Sequence, residues 1–488
     1  MTPPTSAPGA DPAGTTDGNG GARTPGPAGT GDPAGIGGPA GTGDGLSGAL
    51  DDALALQAPA PATSPPPDRD PAAPRPHRHH ATPWPEARET ARRAGGSGRP
   101  APEPVPLDAA LGRLLGGTLA ALTDLPSFDT SAMDGWAVAG PGPWRIDEDG
   151  AVLAGHARAA ALGDGTAVRI ATGARIPSGA TAVIRSEHAR TGTGGRLHAE
   201  REVVPGQDIR PRGQECRTGD PLLPAGALVT PAVLGLAAAA GYDELLVLPR
   251  PTVEVLVLGD ELLTSGLPHE GLIRDALGPL LGPWLQALGT DVLGTRRIGD
   301  DADALYTAVT GSAADLVITT GGTAAGPVDH VHPVLAKAGA ELLVDGVSVR
   351  PGHPMLLARL AGGRHLVGLP GNPLAAVSGL LTLAEPLLRA RSGRPAAEPY
   401  RGPVRDEVQG HPHDTRLVPV VHRGDHLVPL HYNGPAMLRG IAAADGMAVV
   451  PPGGARAGDT LDVLDLPWSA PMALSAVAGS APTGACFT

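Results

Sequence analysis

The sequence predicts a multidomain α/β protein, with a central parallel sheet domain and small β domains beside it, and three observations carry that reading. Between residues 252 and 388 apolar strand-like runs alternate with helix-like segments, the βαβα pattern of a parallel sheet covered on both faces. Before and after this block, short apolar runs are separated by glycine and proline turns, as in small β domains. The chain has 488 residues, more than one core supports, so roughly two to four domains are expected.

Taken in order, residues 1–81 form a Gly/Pro/Ala-rich tract with repeats such as Gly26-Pro27-Ala28-Gly29-Thr30 and Gly38-Pro39-Ala40-Gly41-Thr42. Such a tract buries too little apolar surface to offset its ordering entropy and is expected to be disordered. His77, Arg78, His79 and His80 close it. They read as a solvated linker, with metal binding the alternative. A helix starts at Pro83-Trp84-Pro85-Glu86, and another is expected over Leu107–Leu115, where Leu107, Ala110, Leu111 and Leu114 fall at helical spacing.

Short strands follow at Ala137-Val138, Ala167–Ile170, Ala182–Ile184 and Arg196–His198, then a helix at Pro231–Ala240 stopped by Gly241, and a strand at Glu244–Leu248. The central block reads as strands Thr252–Leu258, Asp291–Arg296 and Asp315–Thr320 alternating with helices Pro279–Leu288, Asp303–Thr310 and Val328–Ala338. Strand runs at Leu342–Val349, Met355–Leu360 and His365–Val367 and a helix at Leu374–Leu388 complete it. Beyond Arg394-Pro395 come β segments at Arg416–His422, His426–Leu430, Gly446–Val450 and Thr460–Val463, with order ending near Trp468 and a loose tail after it.

Composition narrows the function. A net charge of −13 without a Lys/Arg stripe argues against a nucleic-acid binder. Cys216 and Cys486 are the only cysteines, far apart and without ligand spacing, so neither a disulfide framework nor a zinc site is indicated. No run of 18 apolar residues and no basic-then-apolar leader occurs, so a soluble, cytoplasmic protein without membrane contact is expected.

Small and acidic clusters follow the strand-like runs of the central block: Gly259-Asp260-Glu261-Leu262, Gly299-Asp300-Asp301, Gly321-Gly322-Thr323 through Asp329, and Gly368-Leu369-Pro370-Gly371-Asn372-Pro373. In an open parallel sheet, loops at the carboxyl ends of the strands share one edge and line one crevice. Alone, Asp260-Glu261 is either a ligand pair or a solvated turn. Gly321-Gly322 either brings backbone N–H groups to an oxyanion or is a simple turn.

In order and spacing these clusters resemble the molybdopterin molybdenumtransferase family, of the MoeA and gephyrin E-domain type, from about Pro83 to Leu466. Ser131-Ala132-Met133-Asp134-Gly135-Trp136-Ala137-Val138 is similar to that family's Ser-Ala-Met-Asp-Gly-Tyr-Ala-Val, and Thr172-Gly173-Ala174 with Pro177 and Glu187 to its Thr-Gly-Ala segment. Gly259-Asp260-Glu261-Leu262, Ile273-Arg274-Asp275, Asp300-Asp301, Gly321-Gly322 with Gly326 and Asp329, Arg350-Pro351-Gly352-His353-Pro354 and Leu369-Pro370-Gly371-Asn372-Pro373 match the remaining motifs.

The resemblance implies four domains: a discontinuous helical linker domain (82–127 with 212–249), a small β domain (128–211), a MogA-like α/β domain (250–393) and a C-terminal β domain (394–468). It also implies a homodimer in which Asp134 and Glu187 of one subunit face Glu261 and Asp329 of the other. The implied reaction inserts molybdate into adenylated molybdopterin and releases AMP. Asp134, Glu187, Glu261, Asp301 and Asp329 would be catalytic, with Glu261, Asp301 and Asp329 holding Mg²⁺ through hard oxygen ligands. Thr172, Asp275, Gly321, Gly322, Arg350, His353, Gly371 and Asn372 would bind substrate, Arg350 and His353 as cationic donors to molybdate.

Six positions depart from the family pattern: Ala276-Leu277 for Ser-Asn, Leu258 for Thr, Ala324 for Ser, His353 for Lys and Ala375 for Ser. Each removes a hydroxyl, amide or cationic donor. They support an alternative reading, a catalytically impaired paralogue that binds molybdopterin or finished cofactor and delivers it to a molybdoenzyme.

Overall fold

The computed structural model describes residues 81–155, 161–323, 329–397 and 399–468. The 1–80 tract with its histidines, Ala324, Gly326 and the 469–488 tail lie outside the described residues.

Helix α1 (Trp84–Gly96) begins after Pro83, with Pro85 and Glu86 in its first turn, and buries Ala87, Ala91, Ala94 and Gly95 along one face. The helix expected over Leu107–Leu115 stops at Ala110. Gly112 takes a left-handed φ of 76°, and Leu114 and Leu115 then form β-bridges to Leu228 and Val247. Helical spacing there reports two apolar leucines buried by tertiary pairing, which overrides local propensity. Strand Glu103–Pro106 pairs with Glu244–Val247, so segments over a hundred positions apart share the core of Val105, Leu115, Val229, Leu245 and Val247.

The small β domain holds β1 (Gly135–Ala139), β2 (Trp144–Val152), β3 (Thr166–Ile170), β4 (Ala182–Arg185), β5 (Ala189–Thr191) and β6 (Arg196–Ala199), in the order β4-β1-β3-β2-β6-β5. Both faces are packed: Ala137, Val168 and Val183 sit in one core and Val138, Ala167, Ala182 and Ile184 in another. This is the two-residue period of a strand read as alternating faces. Helix α2 (Pro231–Ala239) returns the chain, capped by Thr230, whose Oγ1 accepts from the Val233 N–H at 3.3 Å.

The α/β domain runs β7 (Thr252–Leu258), α3 (Leu277–Ala287), β8 (Asp291–Ile298), α4 (Ala302–Gly311), β9 (Leu316–Thr320), α5 (Val331–Lys337), β10 (Glu341–Asp345), β11 (Val347–Arg350), β12 (Leu356–Arg359), β13 (His365–Leu369) and α6 (Pro373–Gly379). Its sheet has the order β8-β7-β9-β13-β12-β10. The first four strands are parallel, with Val255 level with Thr295 and Ile318, and Ile318 level with Val367. β12 pairs antiparallel with β13 and β10. The run read as one strand, Leu342–Val349, is divided at Gly346 (φ 79°). β11 leaves the α/β sheet there and joins the C-terminal one.

That C-terminal sheet contains β14 (Tyr400–Pro403), β15 (Thr415–Arg423), β16 (His426–Pro429), β17 (Gly446–Val450) and β18 (Thr460–Asp465). β11 pairs parallel with β15, Val349 level with Thr415 and Arg350 with Arg416. After α6 the helical path passes through a π-helical stretch, Leu380–Ala384, into α7 (Glu385–Arg391), and α1 packs on it. Trp84 Nε1 donates to Thr382 Oγ1 at 3.0 Å, and Arg88 donates to the Leu381 carbonyl. A Cβ on Gly95 would overlap the Leu387 carbonyl oxygen, so the two helices approach backbone to backbone only because residue 95 is glycine.

Two outcomes follow from this packing. Gly95→Ala is expected to push α1 off α7 and destabilise by about 1–3 kcal/mol, read as a lower urea midpoint at unchanged slope. His365, 2% exposed at the start of β13 with a partnerless Nε2, is held at a pKa of about 4 by burial first and by the Arg391 and Arg359 charges next. The unfolded chain therefore binds a proton near pH 6.5 that the fold resists. Stability is expected to fall as pH drops from about 6.5 toward 4, by on the order of 2–3 kcal/mol. Chemical denaturation across that range should show the fall in the parent and a shallower one in His365→Leu.

Candidate functional site

β7, β9 and β13 run parallel, so the loops at their carboxyl ends reach one edge of the sheet. They line a cavity of about 650 Å³ bounded by Glu261, Arg274, Thr323, Asp329 and Asn372, and closed from the C-terminal domain by Ala436 and Leu438. An adjoining lobe of about 220 Å³ is lined by Glu261, Asp300, Asp301, Asp329 and His330. The two share Leu258, Glu261, Gly321, Gly322 and Asp329, so they form one crevice with a strongly acidic end.

Glycines let the acidic end form. Gly259 has φ 127°, and a Cβ there would collide with the Glu261 carboxylate. A Cβ on Gly299 would collide with Asp260. Gly321 and Gly322 take φ of 83° and 65°, and Gly371 lies where its Cβ would meet the Gly321 Cα at 3.7 Å. The β9 and β13 loops thus approach each other through backbone alone.

Several acidic side chains also hold the fold. Asp301 caps α4, its Oδ1 accepting from the N–H groups of Asp303 (2.8 Å) and Ala304 (3.0 Å). Asp275 is buried; its Oδ1 accepts from the N–H groups of Leu277 and Gly278, both at 2.9 Å, and Arg297 donates to its Oδ2. Asp275 lines the crevice, but its oxygens are engaged inside the protein. The N–H of Gly321 is likewise committed, to the Leu369 carbonyl at 2.8 Å. The expected oxyanion contact from Gly321 is corrected on this point, because its donor closes the sheet edge.

Glu261, Asp301, Asp329, Asp275, Gly321, Gly322, Gly371 and Asn372 are therefore brought together. Asp134, Thr172 and Glu187 are not: they lie in the small β domain, where the Thr172 N–H donates to Asp134 Oδ1 at 2.7 Å and Glu187 sits in the turn after β4. Arg350 and His353 stand at the seam with the C-terminal sheet, outside the crevice lining. Arg350 Nε donates to Asp414 Oδ2 at 2.9 Å, and His353 Nδ1 is 2.8 Å from the Val347 carbonyl, which fixes it as the protonated ring nitrogen. Sequence reasoning left out Arg274, an exposed cation in the crevice, although it adjoins Asp275. It also left out His330 and the Ala436–Leu438 wall. The wall belongs to another domain and carries no signal of its own.

Among the described residues no three acidic or histidine side chains converge tightly enough to enclose an ion. Carboxylates spaced around an open lobe fit Mg²⁺, which keeps waters and uses one or two carboxylates together with substrate phosphates. They do not fit a closed zinc-type cage.

Comparison with known proteins finds matches along most of the described chain. Residues 82–241 match the MoeA N-terminal region (domain I and II), 254–390 a probable molybdopterin binding domain, and 401–466 the MoeA C-terminal region (domain IV). The chain is 39% identical over 318 residues to molybdopterin molybdenumtransferase 2 of Mycobacterium tuberculosis, covering 62% of this chain and 77% of that one. It is 30% identical over 387 residues to the molybdopterin molybdenumtransferase of Staphylococcus aureus, covering 74% and 90%. A molybdopterin biosynthesis MoeA protein from Pyrococcus horikoshii superposes with a TM-score of 0.66 at 26% identity, covering 79% of this chain and 99% of that one.

The double duty of Asp301 can be separated by substitution. Asp301→Ala should cost about 1 kcal/mol through loss of the cap, whereas Asp301→Ser, itself a good cap, should lose only a few tenths. If the carboxylate also serves the crevice, Asp301→Ser will unfold normally yet bind Mn²⁺, a paramagnetic stand-in for Mg²⁺, more weakly in relaxation titrations. Equal Mn²⁺ affinity would leave Asp301 a cap and nothing more.

Proposed function

This chain belongs to the molybdopterin molybdenumtransferase (MoeA) family and is a transferase of molybdenum cofactor biosynthesis, and on that premise we propose that its crevice binds adenylated molybdopterin and molybdate, inserts the metal and releases AMP. The observation that carries the proposal is the juxtaposition of an acidic lobe with a larger polar cavity that shares Glu261 and Asp329 with it. A nucleotide-linked phosphoanhydride needs both charge neutralisation and a cradle for the organic group.

One or two of Glu261, Asp329 and Asp301 would hold Mg²⁺ together with the substrate phosphates, and the ion would supply neutralisation of the pyrophosphate charge. Arg274 presents a guanidinium to phosphate oxygens. Gly322 offers its N–H, its neighbour's being taken. Asn372 starts α6 without a side-chain cap bond, leaving its amide to read a polar edge of the ligand. Arg350, at the seam beside the crevice and oriented by Asp414 through Nε, would reach molybdate only from outside the lining described above. Asp134, Thr172 and Glu187 complete the site from a second subunit, in a cytoplasmic homodimer. No helix among the described residues is long and apolar enough to cross a membrane.

One observation favours a second reading. Ala276 and Leu277 line the crevice with no hydroxyl or amide to offer, as suits a protein that holds the pterin and passes it to a molybdoenzyme.

Purified protein given adenylated molybdopterin, molybdate and Mg²⁺ should release AMP. Tight binding of the substrate with no AMP would establish the delivery reading instead. Glu261→Gln and Asp329→Asn should each lower turnover at least roughly tenfold, and the double variant should fall far short of the product of the two effects. Fully multiplicative losses would separate their roles. Subunit exchange tests the shared site: inactive Glu187→Gln and Glu261→Gln proteins, mixed in equal amounts, should regain roughly a quarter of parental activity through mixed dimers with one intact site each. No recovery after proven exchange would place all the chemistry within one chain.

A further inference from the structure

A second cavity, of about 600 Å³, lies between α1, α7 and β18 and shares no residue with the crevice. Its apolar wall includes Trp84, Pro386 and Leu464, and five guanidiniums reach it, from Arg88, Arg92, Arg99, Arg389 and Arg394. Among the described residues three carboxylates line it, those of Glu89, Glu385 and Asp462. Two of the arginines are satisfied locally: Arg389 Nε donates to Glu385 at 2.7 Å and Arg92 to Glu89 at 2.7 Å. Asp462 pairs at 2.9 Å with Arg401, which does not line the cavity.

Among the described residues the other three have carbonyl partners and no carboxylate in an ion pair. Arg88 donates to the Leu381 carbonyl, Arg99 Nε to that of Ala390 at 2.7 Å and Arg394 Nη2 to that of Gly112 at 3.0 Å. Arg88 also lies 5.1 Å from the centre of the Trp84 ring. Burial lowers the pKa of Arg88 and of Arg394, for Arg88 against the opposing charge of Glu385, so both charges sit in walls that disfavour them. Holding them there is costly unless an anion arrives.

We propose that this cavity is a second ligand site that takes a small organic phosphate, its anionic head among Arg88, Arg99 and Arg394 and its body against Trp84, Pro386 and Leu464. Among the described lining residues five guanidiniums stand against three carboxylates, an excess of positive charge that suits a phosphate monoester. Guanidiniums are the side chains best suited to phosphate oxygens. The volume exceeds what a bare inorganic ion fills and falls within the range of small-molecule pockets. The segment that leads into α1 is a poor occupant by charge: residues 65–80 carry Asp68 and Asp70 against Arg69, Arg75 and Arg78.

The test is calorimetry of the full chain with phenyl phosphate, in an Arg274→Gln background that removes the crevice's cation. One saturable site is expected, weakened by added salt, with inorganic phosphate binding more weakly. Adding Arg99→Gln with Arg394→Gln should weaken phenyl phosphate at least roughly tenfold. Should that pair fail to fold, Ala396→Trp, placed on the exposed rim, should block the site without touching a charge. The proposal fails if no saturable heat appears, if phenol binds as well as its phosphate, or if the folded variants bind like the parent. It fails equally if binding appears only after residues 1–80 are removed, because the cavity then belongs to the tail.

Discussion

The crevice depends on one constraint, the shared direction of β7, β9 and β13. Their parallel register, with Val257 level with Thr320 and Thr320 level with Leu369, ends three strands at the same height. Whatever follows each strand must then meet at one edge. Glu261 and Asp329 are 68 positions apart in the chain, yet line both lobes for this reason alone. The strands can do this because they are apolar on both faces: Val255, Leu256, Val257, Ile318 and Val367 are all essentially inaccessible to water. Hydrophobic burial sets the register, and the register sets the chemistry.

Crowding carboxylates at that edge has an electrostatic cost, and the local backbone is built to accept it. Gly259 and Gly299 leave room for the side chains of Glu261 and Asp260, which a Cβ would displace. Asp301 and Asp275 spread their charge onto backbone N–H groups at the starts of α4 and α3, where such donors are otherwise unsatisfied. Arg297 neutralises Asp275 further. Glu261 and Asp329 lie in both lobes at once, the position from which a carboxylate can serve a cation and an organic phosphate together.

Much of this was readable in the sequence. Strong alternation of strand and helix patterns located every strand of the parallel core, because strands buried on both faces are near-continuous apolar runs. The misreadings have physical causes. Leu107–Leu115 looked helical from its apolar spacing, but Gly112 turns the chain and the buried Leu114 and Leu115 pair as bridges. Leu342–Val349 looked like one strand because both halves are apolar, although Gly346 sends them to different sheets. At the site, residue type pointed to Glu261, Asp301, Asp329 and Asn372 at the sheet edge, but it also named Arg350 and His353, which stand outside the crevice, and passed over Arg274 and His330. It could not tell that the Gly321 donor is spent on Leu369, nor that Ala436 and Leu438 close the cavity, since both are facts of tertiary contact.

The C-terminal domain is tied to the crevice by more than that wall. The N–H groups of Leu374 and Ala375, in the first turn of α6, donate to the Pro435 carbonyl at 2.9 and 3.2 Å. That loop therefore satisfies helix-start donors that would otherwise face the ligand. On the other side β11 leaves the α/β domain to become a strand of the C-terminal sheet, carrying Arg350 to Asp414. Two independent links, one at α6 and one at β11, fix the C-terminal domain against the α/β domain. A change in either link alters the shape of a cavity whose polar residues it never touches. Positions such as Pro435 and Asp414 thus belong to the site's architecture even though no ligand chemistry is asked of them.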